Sequence, residues 1–427
     1  MIDKPYKYMI LVWCLLFVAL INSCTCERQS DHLHDTTKPL AKQLRAAIKN
    51  GATYLIKDIN EEGAFLYRSN MNSDVKVQKK YNWLRHAGTI YALSVYADWA
   101  KDSAVREKVK RAARYLIRTA IAPLEENPSL QTVWSLKEYT GENAAPQAKL
   151  GGSGLALVGL LSLEKIEPGF NKRSQLEALG RFLSFMQKED GSFYSKYIPS
   201  KSGRDDSWTS LYYPGEAALG LVMLYEYTKA PEWLEHALRA LGYLARLRQN
   251  KAKVEPDHWA LLATQRALIH IEKLKNPPVS QKMLREHAET ITQSIMYGRV
   301  TSQKGRVPQG AYDRNARTTP IATRLEGLLA AYTFLSDKRQ KLRAEIAESA
   351  HLGIKVLLES QIKDGTFKGA VPRSYFGNPE NAKAPPDKRS TELRIDYNQH
   401  FISALMQYSD IFYPALQKTL QEKSETN

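Results

Sequence analysis

Gln187-Lys188-Glu189-Asp190-Gly191-Ser192-Phe193 and Gln361-Ile362-Lys363-Asp364-Gly365-Thr366-Phe367 are two copies of one loop in the same surroundings. Each follows a basic amphipathic helix and precedes a more apolar, Gly/Ala-rich stretch, and a shorter form, Gly63-Ala64-Phe65, occupies the same address earlier in the chain. The glycine is expected to end the first helix in a left-handed conformation and the phenylalanine to fold back onto a hairpin. Outward from these loops, the alternation of an amphipathic and an apolar helix runs six times. The first helices are expected at about 40–57, 104–119, 172–187, 232–249, 280–297 and 342–361, with apolar residues at helical spacing and Lys or Arg between them. Leu234, Leu238, Leu241 and Ala245 show one such stripe. The second helices open near Leu84, Gly151, Pro214, Asp257, Ala322 and Asp396 and are apolar on most faces, as helices buried inside a second ring should be. The spacing predicts an all-α protein of six helical hairpins.

A Gln-x-x-Asp-Gly-[Ser/Thr]-aromatic loop followed by a Gly/Ala-rich helix resembles the repeat of the αα toroids: terpenoid cyclases, prenyltransferases, uronic-acid epimerases and six-hairpin glycosidases. The resemblance covers almost all of residues 40–412 and implies an (α/α)6 toroid whose inner helices point the same way. A site would then lie in the funnel at their N-termini. Arg394-Ile395-Asp396-Tyr397 with His400 is similar to the Arg-x-Asp-Tyr…His segment of glucuronyl C5-epimerases. No linker separates independent halves, and the proline-bearing loop 376–390 reads as a rim loop within the sixth hairpin.

The N-terminal segment points to a compartment. Lys4 and Lys7 precede an apolar stretch over residues 9–21, shorter than the roughly 20 residues a bilayer span needs. It ends in Leu20-Ile21-Asn22-Ser23-Cys24, which resembles the lipobox of bacterial lipoproteins. The expected organisation is a signal peptide over 1–23, lipidation at Cys24, a tether over 24–39, one toroid domain over 40–416 and a polar tail over 417–427. Thr25 after the cysteine leans toward the outer membrane. Cys14, Cys24 and Cys26 are the only cysteines, so the body carries no thiolate for metal or nucleophilic chemistry. No cofactor and no metal are expected, and the chain is expected to be monomeric.

Charge and aromatic content point to the ligand class. Lys and Arg number 61 against 45 Asp and Glu, a net charge of +16 spread along the chain, which favours polyanions. Tyrosines outnumber phenylalanines 23 to 11, and a hydroxyl on an apolar ring suits cavities that hold sugars. There is no phosphate-binding glycine loop, and a lipid-anchored protein outside the cytoplasm meets little nucleic acid.

Distinctive polar residues gather at the openings of the second helices. Glu216 and Asp396 are the acid/base candidates; His86 and His258 are proton carriers or orienters; Tyr213, Asp257, Glu326 and His400 complete the catalytic set. Arg85 and Arg394 are candidate clamps for a substrate carboxylate, and Arg324, Lys149, Tyr212, Trp208, Trp259 and Tyr397 are candidate substrate-binding residues. Hydrolysis needs two carboxylates across the scissile bond, whereas lyase or C5-epimerase chemistry needs a base, an acid and a cation. The expectation is a carbohydrate-active enzyme on an acidic extracellular polysaccharide: hydrolase, lyase or uronate epimerase. The alternative is a non-catalytic lipoprotein that binds a polyanionic polymer in an export or assembly machine.

Overall fold

The computed structural model describes residues 39–302, 306–381 and 389–414. The signal segment, Cys24, the tether up to residue 38, part of the rim loop and the polar tail lie outside the described residues. Two units are distinguished, Met1–Ala46 and Ala47–Asn427. In the first, residues 39–46 are helical; every element below belongs to the second.

Six hairpins follow one another. They are α1 (47–57) with α2 (Trp83–Ala100), and α3 (Ser103–Ala120) with α5 (Leu150–Ile166), the one-turn α4 (Lys137–Thr140) lying between. Next come α6 (Arg173–Phe185) with α7 (Tyr213–Thr228), and α8 (Pro231–Arg248) with α9 (His258–His270). The last two are α10 (Gln281–Tyr297) with α11 (Thr318–Phe334), and α12 (Gln340–Ser360) with α13 (Ile395–Phe412). Helix α2 packs on α5, α5 on α7, α7 on α9, α9 on α11, α11 on α13, and α13 returns to α2, so the inner ring closes. This is the (α/α)6 toroid.

Composition explains which helix goes where. Every residue from Leu150 to Glu164 of α5 is buried, while α8 buries one stripe, Trp233, Leu234, Ala237, Leu238, Leu241 and Leu244. Each such leucine contributes about 1.5–3 kcal/mol by leaving water. Small residues let inner helices touch. A Cβ on Gly215 of α7 would stand 2.7 Å from the Ala260 nitrogen of α9, and one on Gly154 of α5 would stand 2.9 Å from the Ala217 nitrogen of α7.

The repeated loop works differently from the expectation. Gly63, Gly191 and Gly365 do have positive φ, but α6 ends at Phe185 and α12 at Ser360, so the glycines turn the loop and do not cap the helix. The glutamine side chains tie the loop to a neighbouring outer helix: Gln187 Nε2 donates to the Gly191 and His236 carbonyls, and Gln361 Nε2 to those of Gly369 and Ala47. Gly63 and Gly191 press against the carbonyls of Arg111 and Arg239 on the following outer helices, leaving no room for a Cβ. In the sixth hairpin Gly365 stands in open space and Gly369 makes the approach, to the Asn50 carbonyl. Phe65 and Phe193 are buried, whereas Phe367 is only half-buried.

Short strands, which the helical reading did not foresee, fix the loops leading into the inner helices. An antiparallel sheet runs in the order β2 (Ile121–Pro123), β3 (Gln131–Ser135), β4 (Gln147–Lys149), β5 (Lys196–Ile198), β6 (Gly203–Asp205). β1 (Arg68–Asn70) pairs antiparallel with β7 (Glu392–Arg394). β4 leads directly into α5 and β7 into α13, so these ladders set where both helices begin. Five inner helices open within one residue of the expected position, but α11 opens at Thr318 and not near Ala322. Two threonines before Pro320 read as loop, yet proline is tolerated in a first turn, where backbone N–H groups lack helical partners.

Candidate active site

The first turns of the inner helices surround a cavity of about 360 Å³. Helix α2 brings Leu84 and Arg85, preceded by its cap Asn82; α5 brings Leu155; α7 brings Tyr213 and Glu216, preceded by Tyr212. Helix α9 brings His258 and Trp259; α11 brings Thr319, Pro320, Thr323 and Arg324; α13 brings Asp396, Gln399 and His400, preceded by Arg394. Two hollows of about 410 and 520 Å³ are larger. The first is lined by the far ends of α2, α5, α7 and α9, and the second by α8 and the loops around it, so neither gathers the converging first turns.

Three ionisable groups in the cavity are set apart by their surroundings. Asp396 receives Arg394 through Nε at 2.5 Å and Nη2 at 2.9 Å, and Arg85 Nε at 3.1 Å. Burial alone would raise its pKa, but the two guanidiniums outweigh burial and hold the carboxyl below the usual range. Glu216 is the opposite case. It is buried, its Oε2 has no hydrogen-bond partner among the described residues, and burial aided by Asp257 pushes its carboxyl well above the usual range despite Arg85. One cavity thus holds an ionised carboxylate and a carboxylic acid that favours its proton.

His258 is buried, and neither ring nitrogen has a hydrogen-bond partner among the described residues. Burial, with His400 and Arg324 nearby, pushes its pKa well below the usual histidine range, which leaves a neutral imidazole with a free lone pair. The His400 ring stands edge-on at 5.6 Å between centroids, and Tyr212 covers His258 at 5.2 Å. His400 Nδ1 lies 2.9 Å from Glu326 Oε2, an acceptor that takes the Nδ1–H and so orients the ring. Glu326 Oε2 also lies 3.8 Å from His258 Nε2. Ligand atoms of His258, Glu326 and His400 fall within 4.8 Å of one another, so these three residues could hold a metal ion.

Several residues singled out from sequence lie elsewhere. His86 faces away from the cavity, where Tyr81 donates to Nδ1 at 2.7 Å and Nε2–H donates to the Ala112 carbonyl at 2.9 Å, among the rings of Phe65, Trp83 and Tyr115. Asp257 caps α9 through the Ala260 N–H and pairs with Arg248 at 2.8 Å, both side chains buried. Burial keeps the Asp257 carboxyl above its usual range even so. Lys149 pairs with Glu142 at 3.1 Å. The Tyr397 hydroxyl donates to Glu392 while its ring lies under Arg394. Trp208 is half-exposed, 5.7 Å from the Tyr213 ring and beneath Lys196. Glu326 sits behind His400 and does not line the cavity. Conversely, Tyr67 accepts from Arg85 Nη1 at 2.7 Å and was missed, because it sits on a loop with no periodicity to mark it. Thr319 and Thr323 were missed because the α11 opening was placed four residues late.

The buried position of His86 predicts acid sensitivity. Burial lowers its pKa from 6.5 in the unfolded chain to about 4. Between those values the unfolded state binds more protons, so stability is complete above about pH 6.5 and is lost as pH falls toward 4. Two and a half units correspond to about 3 kcal/mol for this residue. His287, lowered to about 3 by burial and Arg248, adds to it. Urea midpoints at pH 7 and 4.5 should differ accordingly, and the difference should shrink in His86→Gln.

No family model matches the sequence, and no curated protein matches it in sequence. Solved structures match its fold. A D-mannose isomerase aligns with a TM-score of 0.59 over 86% of this chain and 97% of its own, at 12% identity. Cellobiose 2-epimerase from Bacillus thermoamylovorans aligns with a TM-score of 0.64 over 87% of this chain and 99% of its own, at 11% identity. The α-1,6-mannanase GH76A from Salegentibacter sp. aligns with a TM-score of 0.56 over 87% and 99%, also at 11% identity. At such identity the likeness carries the toroid fold alone.

Proposed function

We propose that this protein is a carbohydrate-processing enzyme that moves a proton on and off a sugar carbon, in the manner of an isomerase or epimerase. The observation that carries this reading is His258, a buried neutral imidazole whose nitrogens have no partner among the described residues, in edge-on contact with His400 in the wall of the cavity. Removing a proton beside a carbonyl needs a base at the carbon, a second group to return the proton, and positive charge where the enediolate develops. His258 supplies the base and His400, oriented by Glu326, the second proton carrier. Glu216 supplies a protonated donor, and Arg85 and Arg394, two guanidiniums on the one carboxylate of Asp396, leave positive charge over.

Glycoside hydrolysis is the weaker fit. It needs one free carboxylate as nucleophile or base, and Asp396 spends both oxygens on two arginines. Pure binding is weaker too, because Glu216 is not locked to an arginine and a Tyr–His–Arg group faces open space. The fold is shared with a sugar isomerase, a sugar epimerase and a mannanase, which supports a carbohydrate substrate. Lipid attachment at Cys24 and a place in the cell envelope belong to the same proposal and rest on the sequence.

The test is incubation with aldoses and uronates in D2O, reading deuterium at the carbon beside the carbonyl and new reducing ends. Deuterium uptake without new ends is expected. New ends without uptake would make it a hydrolase, and neither would leave only binding. A chelator arm addresses the ion that His258, Glu326 and His400 could hold: full activity after chelation supports imidazole acid–base work. Loss restored by zinc would move the role to a bound ion.

A further inference from the structure

We propose that the substrate carries an anionic group, a carboxylate or a phosphate, and that Arg324 is its seat; this rests on the sugar-enzyme reading above. Three guanidiniums line the cavity, and their counter-charges are unevenly shared. Arg85 and Arg394 converge on Asp396. Among the described residues no carboxylate lies within 4.0 Å of Arg324, although it is partly buried. The acid whose field reaches it, Asp313, is paired with Arg317 at 2.9 Å. Burial accordingly pulls the Arg324 pKa below its ordinary value.

A guanidinium has five N–H donors, and among the described residues the one hydrogen bond Arg324 makes runs from Nη1 to the Pro320 carbonyl at 3.1 Å. Its plane rests over the Tyr312 ring, 5.2 Å from the centroid, which fixes the fork without neutralising it. From the same helix Thr319 also lines the cavity, and its buried hydroxyl has no partner among the described residues. An unneutralised cation and an unpartnered hydroxyl, both from the opening of α11, are what an anionic oxygen group would satisfy together. Arg85 and Arg394, the clamps expected from sequence, are already occupied by Asp396.

The test uses the full chain and calorimetric titration with glucose, glucuronate and glucose 6-phosphate at fixed ionic strength. At least one anionic sugar is expected to bind about tenfold or more tighter than glucose, and which one identifies carboxylate or phosphate. Arg324→Met should weaken that binding by about 10- to 100-fold, with partial recovery in Arg324→Lys. Because no carboxylate is orphaned, the variant should melt no earlier than wild type, which separates lost binding from lost folding. Equal affinity for glucose and both anions, unchanged anion binding in Arg324→Met, or no binding of any of the three would overturn the proposal. Binding is read without turnover, so the two readings fail separately. Glucuronate held through Arg324 but never deuterated would sink proton transfer alone, and exchange on glucose without anion preference would sink only the anionic substrate.

Discussion

His258→Gln should lower turnover by about 10²- to 10⁴-fold, the usual worth of a positioned proton carrier, while the protein stays folded. Both consequences come from one feature. The His258 nitrogens make no hydrogen bond among the described residues, so replacing the ring leaves no buried partner stranded; it removes only the imidazole from the cavity wall. The deuterium uptake described above should fall in step with kcat. pH separates this role from a structural one. A neutral base with a lowered pKa keeps activity well below the ordinary histidine range and loses it only as pH falls through that lowered value. Glu216, raised by burial, acts at the other limb: if its proton is needed, activity falls as pH rises through its elevated pKa. Glu216→Gln should flatten the alkaline limb. Wild-type turnover in His258→Gln would remove the base from the mechanism.

Asp257→Ala should cost about 3–5 kcal/mol of stability, the penalty for stripping one partner from a buried ion pair. Asp257 is completely buried and Arg248 is 7% exposed, so the guanidinium is left with His287 Nε2 at 3.3 Å and little water in place of its carboxylate. The same change strips the cap from α9, freeing the Ala260 N–H that Asp257 Oδ1 holds at 3.1 Å. Asp257→Asn should be milder, because the amide oxygen can still cap. A double replacement, Asp257→Leu with Arg248→Met, should recover much of the loss by removing both charges together. Urea unfolding of the four proteins checks the order. The opposite pattern, lost activity at full stability, would return Asp257 to the catalytic set.

Asp257 and His258 also mark where sequence reasoning ends. The repeated loops, the amphipathic outer helices and the apolar inner ones carry the toroid in local signals. Capping, helical periodicity and glycine turns act within a few residues, so a single chain displays them. The gathering of polar residues at the inner-helix openings is legible for the same reason. Which of them face the funnel is not. Arg85 and His86, Asp257 and His258, and Asp396 and Tyr397 are neighbours in sequence, yet only one of each pair lines the cavity, while His258 and Trp259, or Gln399 and His400, line it together; the rotation of each helix decides which. An outer helix declares its rotation through its apolar stripe, as α8 does with Leu234, Leu238 and Leu241. An inner helix is apolar on nearly every face and carries no such index. Its rotation is decided by the close contacts of the ring, Gly154 against Ala217 and Gly215 against Ala260, and by the strands that deliver α5 and α13. The sequence by itself determined the hairpins, the ring and the end of the ring where chemistry would gather. Packing between helices far apart in the chain decided that Arg85, His258 and Asp396 look inward while His86, Asp257 and Tyr397 bond elsewhere.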